Sequence, residues 1–182
     1  MRLSVPMPLP VLALVVACLG VPQGAAAQEV RATLHGHVDG TAMVWHVVEI
    51  GGESGSYWAD MGTLHQVTVF AFADNGGTSG LRPDGALEFS LTLDSRESPM
   101  RVVGAQVTFF PEDSTQAFAV PRRAEGRVDV ALEDTRIDGR RMHLRGQLAT
   151  PLQRLTDPLS QRFDPEDTID IDVSFDLSVG SL

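Results

Sequence analysis

The sequence predicts an all-β fold: an antiparallel β-sandwich or small closed barrel of about eight to nine strands, with one short helical segment near residues 150–163. Three observations carry this. Short segments alternate apolar and polar residues with period two; Asp- and Gly-bearing turns separate them; and helical spacing occurs in one place only.

Val30–Val38 places Val30, Ala32, Leu34, Gly36 and Val38 on one face and Arg31, Thr33, His35 and His37 on the other, as a half-buried strand does. Asp39-Gly40 is the preferred two-residue hairpin turn, because both positions of a type I′ turn need positive φ. It predicts Thr41–Ile50 as the return strand, with Val38 opposite Thr41, His35 opposite Val44 and Thr33 opposite His46. Gly51–Ser56 reads as a mobile loop.

Leu64–Ala73 is the next strand, followed by Asp74-Asn75-Gly76-Gly77 and a Gly-rich connection to Gly85. Further strands are predicted at 86–93, 101–110, 117–120, 127–133 and 142–150. Ile169–Val179 alternates without a fault, six apolar residues against Asp170, Asp172, Ser174, Asp176 and Ser178. Between the last two, Pro151 suits a first helical position and Leu152, Leu155, Leu159 and Phe163 fall at helical spacing, with Pro158 splitting the segment.

Residues 1–27 have the layout of a secretory signal: Arg2, an apolar stretch from Leu9 to Val21, then the small-residue run Ala25-Ala26-Ala27. Cleavage before Gln28 leaves residues 28–182 as a single domain with no transmembrane segment, since the apolar stretch falls short of the roughly 20 residues a span needs. The competing reading is a lipobox at Val15-Val16-Ala17-Cys18, with Cys18 as a lipid anchor. Either reading exports the chain to the periplasm or cell envelope of a bacterium. Its size, signal and strand count resemble small exported β-sandwich and calycin-like domains, a likeness of architecture that implies no activity. Asp and Arg on the outward faces, with one Tyr and two Trp in all, argue against a barrel in the outer membrane.

The net charge is −10, and all 14 basic residues are Arg. An acidic chain repels nucleic acid and anionic membranes, so neither is expected as a partner. Without Lys there is no Schiff base and no P-loop. Cys18 is the single Cys, so the processed domain has no disulfide and a normal apolar core must hold it.

Five residues stand out as candidates. His35, His37 and His46 share one face of the first hairpin, where imidazoles on neighbouring strand positions can converge on Zn or Cu. The competing reading is polar surface. Tyr57 and Trp58 follow the Gly-rich loop, where an aromatic pair can bind a ligand or clasp the core. The acids from Asp164 to Asp176 lack calcium-loop spacing and read as protection of an edge strand, relieved by pairing Arg145 with Asp172 or Asp176. No nucleophile motif is present: Ser54 and Ser79 do not complete Gly-x-Ser-x-Gly. The expectation is therefore an exported, non-catalytic binding or interaction module for a protein or small ligand. Its alternatives are a His-x-His metal protein and a carrier of a small apolar ligand.

Overall fold

The computed structural model describes residues 28–50, 53–73, 85–112, 116–121 and 128–182. The signal, Cys18 and the Gly-rich stretch 74–84 lie outside them.

The described residues form eleven strands in one large sheet, and no helix occurs among them. The strands are β1 (Gln28–Val38), β2 (Thr41–Ile50), β3 (Glu53–Ser54), β4 (Tyr57–Asp60), β5 (Leu64–Ala73), β6 (Leu87–Asp94), β7 (Arg101–Phe109), β8 (Phe118–Ala119), β9 (Asp129–Asp138), β10 (Arg141–Asp157) and β11 (Arg162–Ser181). This overturns the expected eight- or nine-stranded sandwich or small calycin-like barrel with a helical segment. There are not two sheets, β11 and β4 run parallel, and following the pairings β1–β2–β5–β6–β7–β8–β10–β11 leads back to β1.

The helical segment fails for a specific reason. Leu155 and Phe163, spaced as on one helix face, are cross-strand partners, and Leu152 pairs with Ile169. Residues 150–163 thus extend a long β10–β11 hairpin, tied on its other side to β8 through Gln153 and Arg154. Strand pairing on both flanks overrides a weak local helical signal. Pro158 lies in the turn, where Asp157 accepts hydrogen bonds from the Leu159 and Ser160 amides at 3.0 and 3.3 Å.

Two further expectations are corrected. Part of the predicted loop 51–56 is β3, which pairs with the end of β2. β11 is not an edge strand, because β10 and β1 flank it. Its acids line an outward face; Arg145 stands opposite Asp176 in the register as expected, but its ion pair is with Glu133 on β9 at 3.0 Å.

The inward residues meet in one core. Leu34, Trp45, Phe89, Leu91, Leu144, Leu148 and Leu152 are almost wholly buried, and the alternating residues of β11 from Ile171 to Val179 complete the cluster. Each such side chain contributes about 1.5–3 kcal/mol by leaving water. The one polar atom of Trp45 is satisfied, its Nε1 donating to the Gly85 carbonyl at 2.9 Å.

Candidate functional site

β1 pairs with β11 over four residues only, His35–Val38 against Ile171–Ser174. Towards its N-terminal end β1 stays with β2 and carries a bulge between Val30 and Ala32. Beyond Ser174, β11 stays with β10 and takes β4 as a parallel partner at Gly180 and Ser181. The sheet therefore splays, and a cleft of about 250 Å³ opens between the two halves. Arg31, Glu49, Ser56, Tyr57, Arg141 and Ser178 are among its lining residues.

The cleft holds two kinds of polar group. Arg31, at the bulge, donates to Glu49 at 2.8 Å and lies 3.0 Å from Glu29. That hydrogen bond holds the Glu49 carboxyl below the ordinary carboxylate range, with smaller help from the charges of Arg31 and Arg141. The Arg31 guanidinium is raised in turn, chiefly by the same bond. Ser56 is also engaged, donating to the Phe70 carbonyl and accepting from the Phe70 amide.

The second kind has no internal partner. Ser178 Oγ is buried and makes no hydrogen bond. Neither the Tyr57 hydroxyl nor the Arg141 guanidinium has a hydrogen-bond or ion-pair partner among the described residues. A buried hydroxyl without a partner is uncommon, because its desolvation is then uncompensated.

The five candidates from the sequence fall in different places. Tyr57 lines the cleft, but Trp58 turns into the core, with Nε1 donating to the Arg140 carbonyl at 3.2 Å. Both lie on β4, a strand, rather than on a loop. The three histidines sit on the outward side of the first hairpin in the expected register. His37 Nδ1 lies 3.1 Å from Asp172 Oδ1, His46 Nδ1 lies 3.1 Å from Thr33 Oγ1, and His35 stands opposite Ser174 on β11. Among the described residues, no group of three or more His, Cys, Asp or Glu is placed to hold a metal ion.

His65, which the sequence left unassigned, is buried on β5 edge-to-face with Trp58, the ring centroids 5.5 Å apart. Arg31, Glu49, Arg141 and Ser178 carried no sequence signal at all. Each is one polar position in an alternating strand, and only the divergence of β1 from β11 groups them.

No family model matches the chain, no curated protein matches it, and no solved structure matches its fold. No helix among the described residues is long and apolar enough to cross a membrane.

Proposed function

We propose that this chain is an exported, non-catalytic binding module of the bacterial cell envelope that takes a small polar ligand in the cleft beside Tyr57. The observation that carries this reading is the cleft itself, about 250 Å³, in whose lining Tyr57 and Arg141 have no hydrogen-bond or ion-pair partner among the described residues.

Two features favour binding over catalysis. Among the described residues Glu49 is the only carboxylate side chain in the lining, and its hydrogen bond from Arg31 favours the ionised form. Among the described residues no imidazole stands beside it in the lining to serve as acid or base. A carrier of an apolar ligand is disfavoured by the interior, which Trp45, Phe89 and the inward leucines fill. Export rests on the signal-like residues 1–27, with a lipid anchor at Cys18 as the variant of that reading.

The test is native mass spectrometry of protein purified from its host, followed by the denatured mass. The reading expects a native mass greater by one small organic molecule. An excess equal to a metal ion would return attention to His35, His37 and His46, and equal masses would point to a protein partner. The denatured mass also decides between a chain starting at Gln28 and one starting at lipidated Cys18.

A further inference from the structure

We infer that a groove between β2, β3 and β5, on the face of the sheet turned away from the core, binds a small quaternary ammonium ion against the phenyl rings of Phe70 and Phe72 and the carboxylate of Glu53. The inference goes beyond the Tyr57 cleft, with which this groove shares only Ser54 among the described lining residues.

β5 sends Val67, Val69, Ala71 and Ala73 into the core, and the strand's alternation puts Phe70 and Phe72 on the opposite face. Both rings are half-buried and stand edge to face, with centroids 4.9 Å apart and planes at 82°. Together with Val48, Gly55, Ser54 and Glu53 they line a groove of about 420 Å³. That size falls within the roughly 300–1,000 Å³ of small-molecule sites.

Charge sets the sign of the ligand. Glu53 lines the groove, and Glu88 stands opposite Phe70 in the β5–β6 register. Neither carboxylate has a hydrogen-bond or ion-pair partner among the described residues. The described lining contains no Arg, whereas the Tyr57 cleft has Arg31 and Arg141. A phenyl ring is negative on its face, so two rings nearly at right angles form a corner that attracts a cation from two sides.

Hydrogen bonding then selects among cations. A primary ammonium brings three N–H donors, each needing an acceptor. The Ser54 hydroxyl is already engaged, donating to the Val48 carbonyl at 3.4 Å and accepting from the Ser56 amide at 3.1 Å. A quaternary ammonium has no N–H to satisfy and presents only methyl groups to the rings. Backbone pairing favours a small molecule over a basic peptide. The Phe70 amide and carbonyl are both bonded to Ser56 Oγ, and β2 meets β5 at Phe72, so an extended chain finds no open strand edge beside the rings.

The experiment titrates the isotope-labelled, exported protein at pH 8 and constant ionic strength, read from backbone amide shifts. The probes are choline, its neutral isostere 3,3-dimethylbutan-1-ol, and ethanolamine. Choline should give saturable shifts at Gly55, Phe70 and Phe72 and leave Gly180, in the Tyr57 cleft, unmoved. The isostere and ethanolamine should each bind at least about tenfold more weakly. Phe72→Leu keeps an apolar side chain but removes the ring face, and Glu53→Gln removes the charge; each should weaken choline by about threefold or more. Glu166→Gln, in the distant β10–β11 hairpin, should leave binding unchanged, and a thermal melt of each variant checks that it is folded. The comparison of choline with its isostere needs no variant. Equal affinity for those two, shifts that never saturate, or saturable shifts confined to the Tyr57 cleft would overturn the inference. So would ethanolamine binding as tightly as choline, a short arginine peptide displacing choline at lower concentration, or the same amides shifting with protein concentration alone, the mark of a second copy in the groove.

Discussion

Gly36 on β1 lies against the backbone of Asp172 on β11 so closely that a Cβ on Gly36 would fall 1.9 Å from the Asp172 carbonyl oxygen. The contact sits within the four-residue pairing that joins β1 to β11 and closes the circuit of strands. The atom in the way is backbone, so no side-chain rotation relieves the clash, and the strands must part. Gly36→Ala should therefore cost about 1–3 kcal/mol or more, by chemical denaturation. Unaltered stability would show that β1 and β11 do not approach this closely.

Asp39 is both turn residue and clamp. It adopts a φ of 48° and Gly40 a φ of 74°, the positive values a type I′ turn needs. Its amide donates to the Asp170 carbonyl at 2.9 Å, and its Oδ1 accepts from the Asp170 amide at 2.7 Å. Asp39→Ala removes that acceptor and places a residue less tolerant of positive φ in the turn. A loss of about 1–3 kcal/mol is expected. Asp39→Asn keeps an acceptor and the conformational tolerance, so it should lose clearly less; equal losses would contradict the clamp.

Asp94 ends β6 with its carboxylate buried, bonded to the Arg96 side chain, the Arg96 amide at 3.1 Å and Arg101 at 3.5 Å. These bonds, led by the Arg96 side chain, hold its acidity well below the usual carboxylate range despite the opposing effect of burial. A carboxyl depressed on folding contributes stability above its unfolded pKa of about 3.9 and loses it as pH falls towards the folded value. At pH 7, Asp94→Asn should melt several degrees below the unaltered chain. The gap should narrow as pH drops below about 4. Melting curves at pH 7, 4 and 2.5 decide it, and a gap that stays constant would mean the carboxylate's charge is not what stabilises this hairpin.

Much of the first hairpin was legible because its register is fixed locally. Once Asp39-Gly40 is taken as a two-residue turn, Thr33 must meet His46, and it does. The second half of β11 was legible because one face is buried from Ile171 to Val179 and a one-residue slip would bury its aspartates. β4 was not, since four residues beginning Tyr57-Trp58 are too few to show a period. Nor was the cleft, because Arg31 and Arg141 carry no mark of proximity in the sequence. They line one cleft only because β1 joins β11 at His35 and not before it, which no local pattern encodes. Closure between β2 and β5 rests on two residue pairs, Trp45 with Ala73 and His46 with Phe72, and is equally silent in the sequence.

The segment 150–163 offers the sharpest contrast between the two readings. On a helix, Leu152, Leu155, Leu159 and Phe163 would form one buried stripe, and truncating any of them would cost comparable energy. In the β10–β11 hairpin, Leu152 is wholly buried whereas Leu159 stands 98% exposed at the tip, in the turn held by Asp157. Leu152→Ala should therefore cost about 2–5 kcal/mol, the usual range for emptying a core leucine site. Leu159→Asp should change stability by no more than about 0.5 kcal/mol, as surface substitutions do. Urea denaturation of the two variants tests both values together. If Leu159→Asp destabilised as strongly as Leu152→Ala, the tip would be packed against something, and the hairpin assignment of residues 150–163 would have to be abandoned.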